Sequence, residues 1–383
     1  MRRQELLLEA CSFERGDRPL VPGGQPASSL DWQWLLSAAE LHAVSPLLSR
    51  RLRDEPAGVP ADVLATLRAR FDANSLRNMA MARDLADLLE RLGENGVDAI
   101  PIKGPTLAIS AYGDLALREF GDLDIVVRST DLARARELFA AWGFRPATQL
   151  TPAGEAALLG SDHHIPLLGP GDRITVELHW SLDNLRPGSR LDGEWTWSNA
   201  RRVQLLGRDV ASLSWSALLV YLCVHGAKHG WNRLGWICDV AGVLASAPER
   251  ELSQAPLIAA AVGAERRLAL GVRLAHELLG SPLLPELKHR EDGVVSALVR
   301  DVRARLFSEE PPHRVASLVF QCRTLDRARD QLGFAFHVLA APHVADVQDV
   351  RLPERLGWLY RVVRPARLLV RGVTSLARPR PHS

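Results

Sequence analysis

Along the first part of the chain, to about Gly93, apolar residues recur every three to four positions. The segments DWQWLLSAAELHAVSPLLSRRL and ADVLATLRARFDANSLRNMAMARDLADLLERL each predict one amphipathic helix, with PAGVP between them. Asp31 stands where it can cap the first helix, and the Gly-, Pro- and Ser-containing 10–30 stretch reads as a loop. The pattern then changes. VDAIPI is a short β-branched run and predicts a strand, PTLAISAYG a short helix opened by proline, LDIVV a buried strand and STDLARARELFAAWG a helix. HHIPLL and ITVELHW, separated by GPGD, predict an antiparallel hairpin. From about Ser212 the helical period returns in SWSALLVYLCVHGAKHG, LGWICDVAGVLA and PLIAAAVGAERRLALGVRLAHELLG, with a weak strand-like run only at VASLVF.

These elements predict an α/β (α+β) protein, a small mixed sheet flanked by N-terminal and C-terminal helical regions. The expected divisions are a helical region at 1–93, an α/β core at 94–205, a mainly helical region at 206–345 and a basic Pro/Arg-rich tail at 346–383.

Charge narrows the partners. Lys plus Arg total 47 against 45 Asp plus Glu, so the chain as a whole is not built to bind a polyanion. Between Arg351 and Ser383, however, eight arginines face the single acid Glu354, which suits either a solvated helix with a frayed end or contact with an anionic surface. The N-terminus lacks the apolar h-region of a signal peptide. No apolar run reaches the roughly eighteen residues of a transmembrane helix. Cys11, Cys223, Cys238 and Cys322 form no CxxC pair, so neither zinc nor a disulfide framework is expected, and a reducing cytoplasm is the default location. Ten tryptophans, among them Trp32, Trp34, Trp142 and Trp236, fall at helical spacings that suit core packing.

The sharpest chemical signal is REFGDLDIVV, from Arg118 to Val127. Residues two apart on a strand face the same way, so Asp122 and Asp124 can present two carboxylates to one side. Such a pair repels unless a cation, protons or water relieve it, and Mg²⁺ with phosphate oxygens fits that need. Glu177, in ITVELHW, offers a third carboxylate on a strand face shared with Thr175 and His179. Around this set, Lys103 at a strand end suits a phosphate or simple exposure. Arg118 suits a bidentate grip on phosphate or a salt bridge to Glu119. His225, Lys228 and His229 share a helical face and suit a substrate-facing patch or ordinary packing, with zinc the least favoured use. Asp239, on an apolar helix, needs a partner such as Lys228 or Arg233 if buried.

Taken in order, IKGPTLAISAY (102–112), LREFGDLDIVV (117–127), VELHW (176–180) and LCVHGAKHGWNRLGWICDVAGVL (222–244) resemble the uncharacterised nucleotidyltransferase family of the DNA-polymerase-β-like superfamily. The likeness extends over most of 30–250. It implies a metal-dependent enzyme that transfers a nucleoside monophosphate (NMP) from a nucleoside triphosphate (NTP), with pyrophosphate leaving. Its catalytic and metal-holding residues would be Asp122, Asp124 and Glu177. Lys103, Gly104, Arg118, His179 and Lys228 are the candidate cofactor-binding groups, for Mg²⁺ or Mn²⁺ and for NTP, with ATP the default. Where the wider superfamily has Gly-Gly or Gly-Ser, this chain has Gly104-Pro105, and seventeen residues separate Gly104 from Asp122. The acceptor is a small molecule or a protein of unstated identity. Two other readings stay open: a phosphotransferase on the same metal site, and a non-catalytic nucleotide-binding module.

Overall fold

A computed structural model describes residues 3–13, 30–54, 56, 58–183, 191, 193–287, 292–308 and 313–377. Most of the 10–30 stretch expected as a loop, and the chain end from Arg378, lie outside the described residues. The N-terminal helices are α1 (Arg3–Ala10), α2 (Trp32–Leu41), α3 (Ser45–Asp54) and α4 (Ala61–Glu94). The Asp31 side chain accepts from the Trp34 amide, 3.0 Å, as the cap of α2. What the periodicity joins as one helix is two. Ala43 adopts φ +56° and breaks the helix ahead of Pro46, and the freed His42 carbonyl accepts the Gly235 amide at 2.9 Å. A side chain at Gly235 would meet that oxygen at 2.9 Å, so the break and the glycine fit each other.

The central elements are β1 (Ala99–Pro101), α5 (Gly104–Leu107, continuing as a π turn to Tyr112), β2 (Leu123–Val127), α6 (Leu132–Ala141), β3 (Arg145–Pro146), α7 (Pro152–Leu159), β4 (His164–Leu168) and β5 (Thr175–His179). The strands form one mixed sheet in the order β1-β2-β5-β4-β3, with only β2 and β5 parallel. The predicted β4–β5 hairpin is present. Beyond it come α8 (Gly193–Ser198) and a second hairpin, β6 (Ala200–Leu205) with β7 (Arg208–Leu213), which the apolar pattern did not announce.

The remaining chain is helical: α9 (Trp215–Lys228), α10 (Leu234–Ser246), α11 (Glu249–Leu252), α12 (Ala255–Val262), α13 (Glu265–Leu279), α14 (Gly293–Arg305), α15 (Arg314–Arg323), α16 (Ala328–Ala340), α17 (Val344–Asp349) and α18 (Tyr360–Ala377). The VASLVF run lies in α15 and is no strand; a short β-branched run does not distinguish the two by itself. Among the described residues no helix is long and apolar enough to cross a membrane.

Strand β2 is buried along both faces. Leu123, Ile125 and Val127 enter a core with α4 and α6, whereas Val126 enters the large core built by α9, α10 and the N-terminal helices. Asp124 shares the Val126 face, so the fold carries a carboxylate under its helical layer. α9 and α13 pack closely around the turn into α10 because Gly226 and Gly271 leave room for Trp231; a Cβ at Gly226 would lie 2.4 Å from that ring.

His42 makes this packing sensitive to acid. Buried, it accepts the Leu234 amide at Nδ1, 3.2 Å, and meets the Phe307 ring edge-on at 5.0 Å. Burial and then the Arg233 charge push its pKa down to about 4. The unfolded chain takes up that proton near pH 6.5, so His42's contribution is present above that pH and is lost as pH falls towards 4. The full loss is about 3 kcal/mol. His42→Asn keeps an acceptor and removes the titration. Its melting temperature is expected to fall less than the native protein's between pH 7 and pH 4.5; parallel falls would contradict the assignment.

Candidate active site

Asp124 and Glu177 stand side by side because the parallel register of β2 and β5 pairs them directly. His179, two residues along the same face of β5, brings Nε2 to 3.3 Å from both Asp124 Oδ1 and Glu177 Oε2. On β4, His164 pairs with His179 across the ladder, and the two rings stack at 5.0 Å. Lys103, two residues past the end of β1, places Nζ 2.9 Å from Asp124 Oδ1. Gly104, at φ +54°, turns the chain from this lysine into α5, a conformation that favours glycine.

These are charge contacts rather than directed hydrogen bonds. Asp124 Oδ1 and His179 Nε2 are both buried without a partner in hydrogen-bonding geometry. Their electrostatics nonetheless agree. Burial alone would raise the Asp124 pKa, but the Lys103 ammonium and His179 hold it well below the usual carboxylate range. Burial likewise opposes the His179 charge, which the two carboxylates restore, raising its pKa. Burial would raise Glu177 too, and the His179 contact lowers it. In Lys103 the neighbouring Asp124 outweighs burial and raises the pKa.

Asp122 lines the same cleft but stands outside the tight Asp124–Glu177–His179 set, whose ligand atoms lie within 4.8 Å of one another. Burial, then the Asp124 charge, raises its pKa. Arg118 is committed elsewhere. Its Nε and Nη2 donate to Asp239 Oδ1 and Oδ2 at 2.7 and 2.9 Å, and Tyr112 Oη donates to the same Oδ1 at 2.7 Å. The buried partner of Asp239 is therefore Arg118, not Lys228 or Arg233, and Arg118 makes no pair with Glu119. Glu119 instead accepts the Ser45 amide at the start of α3, 3.1 Å. Asn74 and Asn78 of α4 complete the fastening, both donating to the Arg118 carbonyl, at 3.3 and 2.7 Å. The segment leading into β2 is thus held from three helices.

The opposite wall comes from α9 and the turn into α10. Tyr221, His225, Lys228, His229, Arg233 and Trp236 close a cleft of about 500 Å³ over the carboxylates. Trp236, expected in the core, is only half-buried and lies 5.0 Å from the His229 ring. Burial pushes the His229 pKa down to about 4. Lys228 Nζ sits 3.2 Å from His163 Nε2, and burial lowers the Lys228 pKa. Among the described residues His225 and His229 join no group with metal-ligand spacing, whereas His163, His164 and His179 do. The sequence alone drew little from His163 and His164. Their signal is register: a strand opening HH runs antiparallel to one ending in HW.

A family model described as an uncharacterised nucleotidyltransferase matches residues 28–280. The chain belongs to this family. As a nucleotidyltransferase, it carries within the matched span both strands of the carboxylate cluster and the helical wall that faces them. No curated protein matches the sequence. Among solved structures, that of the antibiotic-resistance factor ANT(2'')-Ia is similar over 51% of this chain and 90% of its own, with 14% identity and a TM-score of 0.30. An antigenic nucleotidyltransferase-like protein from Paracoccidioides brasiliensis is similar over 57% of this chain and 99% of its own, with 17% identity and a TM-score of 0.35. Both are distant, and no residue's role rests on either.

Proposed function

We propose that this nucleotidyltransferase moves the NMP of an NTP, with ATP the default donor, onto a hydroxyl, amine or phosphate of an acceptor. The observation that carries the reading is the register that sets Glu177 beside a buried Asp124 whose Oδ1 lacks a directed hydrogen bond. Asp124 and Glu177 offer oxygen donors and His179 a nitrogen, all within 4.8 Å of one another, and the two carboxylates suit a hard divalent cation. Asp124 and Glu177 would hold Mg²⁺ or Mn²⁺, with Asp122 extending the site towards the triphosphate. Bound there, the cation supplies neutralising charge for the phosphate oxygens.

The chain's own groups do the rest. Lys103, Lys228 and Arg233 face the phosphates, and the His229–Trp236 wall offers the base an aromatic surface. Glu177, half-buried at the cleft, takes the acceptor's proton as its oxygen or nitrogen bonds to the α-phosphorus. The bond from that phosphorus to the bridging oxygen breaks, and pyrophosphate leaves with the electron pair. His179 holds the two carboxylates together when no cation does.

Mn²⁺ titration by electron paramagnetic resonance, with a non-hydrolysable ATP analogue present, tests the site. Native protein is expected to bind Mn²⁺, and Asp124→Asn to weaken it by roughly tenfold or more. Equal binding by both proteins would remove Asp124 from the metal site.

A further inference from the structure

A second cavity lies beside the cleft, and its chemistry differs. We propose that it seats the apolar body of the acceptor, whose hydroxyl or amine reaches Glu177 past His164. This rests on the nucleotidyl-transfer reading and names the class of its second substrate.

The cavity holds about 350 Å³ between the β3–β4 edge of the sheet and α7. Leu158 and Leu159 of α7, Ile165 of β4, Trp180 just past β5 and Val344 at the start of α17 form its apolar walls. His164 belongs to both spaces, lining this cavity and the carboxylate cleft alike. Its Nε2 stands 3.9 Å from Glu177 Oε2. One imidazole therefore stands between the cavity and the carboxylate cluster.

Charge sorts the two spaces. The cleft offers Lys103, Lys228 and Arg233 to a triphosphate, whereas among the described residues no lysine or arginine lines the cavity. Its two acids are already engaged, Glu155 by Arg136 and Asp162 by His163 and His164. A phosphorylated or carboxylated acceptor would find no counter-charge there. A sugar would set most of its surface against leucine, isoleucine and tryptophan, with Thr148 and Gln149 the uncharged polar side chains left to meet its hydroxyls. An alcohol or amine on a small alkyl or aryl body meets both demands, with its body out of water and its nucleophile at Glu177.

Linear alkan-1-ols from butanol to octanol serve as probes, titrated calorimetrically into protein holding Mg²⁺ and a non-hydrolysable ATP analogue. Affinity is expected to rise roughly three- to fourfold per methylene until the cavity is full. Leu159→Trp, which fills the space from a half-buried position outside the main cores, should cut octanol affinity at least tenfold and leave affinity for the ATP analogue unchanged. Leu159→Ala, which carries no folding risk from added bulk, should lower the gain from the longest chains. Affinity independent of chain length, or a ladder unaltered in folded Leu159→Trp, would overturn the proposal. Pyrophosphate release from ATP, measured separately with each alcohol and with acceptor fractions of a native lysate, keeps the two readings apart. Normal binding without any release contradicts transfer, whereas release from lysate without a binding ladder contradicts the cavity alone.

Discussion

Glu177→Gln is expected to lower kcat by about a hundredfold or more while leaving affinity for NTP–Mg²⁺ close to native. Glutamine keeps the size of the side chain but can neither accept the acceptor's proton nor contribute a negative ligand, and loss of acid–base assistance costs on that scale. Asp122 and Asp124 remain to grip the triphosphate side. Metal-free stability should fall slightly. Two facing acids in the sequence suggest that removing one relieves repulsion, but Lys103 and His179 already compensate the pair, so the change deletes a counter-charge. Steady-state kinetics beside calorimetric binding of a non-hydrolysable analogue, on native and variant protein, reads both effects. An unchanged kcat would place Glu177 outside the chemistry.

The largest expected effect on stability comes from Asp239→Asn. Asp239 is buried and takes both arms of the Arg118 fork, whose side chain is 11% exposed, together with the Tyr112 hydroxyl. Asparagine leaves a buried guanidinium without its counter-charge. Breaking one side of a buried ion pair costs about 3–5 kcal/mol, because the remaining charge is stranded. Denaturant unfolding monitored by circular dichroism should show that loss. A cost below about 1 kcal/mol would mean that Arg118 reaches water or another anion, and so could turn to a phosphate after all.

Residues whose signal is local were legible in the sequence. LDIVV and TVELH read as strands because apolar β-branched residues fill them, and the period of two put Glu177 with His179, whereas Asp122 lies just ahead of β2 and outside the cluster. Gly113 ends the α5 turn in the left-handed conformation its position suggests. Pairings across long distances were not legible. Arg118 and Asp239 are 121 positions apart, so the sequence offers phosphate or Glu119 to Arg118 but not its actual partner on a distant helix. Asn74 and Asn78 carry no local signal within α4, yet they fasten the segment that leads to Asp122. The break at Ala43 was hidden because the apolar period runs through it, and only the Gly235 contact explains the turn.

We propose that a nucleotide, rather than a phosphate, is transferred. ATP labelled at the α-phosphorus, and separately at the γ-phosphorus, should be incubated with native protein, Mg²⁺ and acceptor fractions of a native lysate. Nucleotidyl transfer predicts α-label on an acceptor and γ-label in pyrophosphate, with both lost in Glu177→Gln. Label from the γ-phosphorus on the acceptor, with ADP left behind, would contradict it.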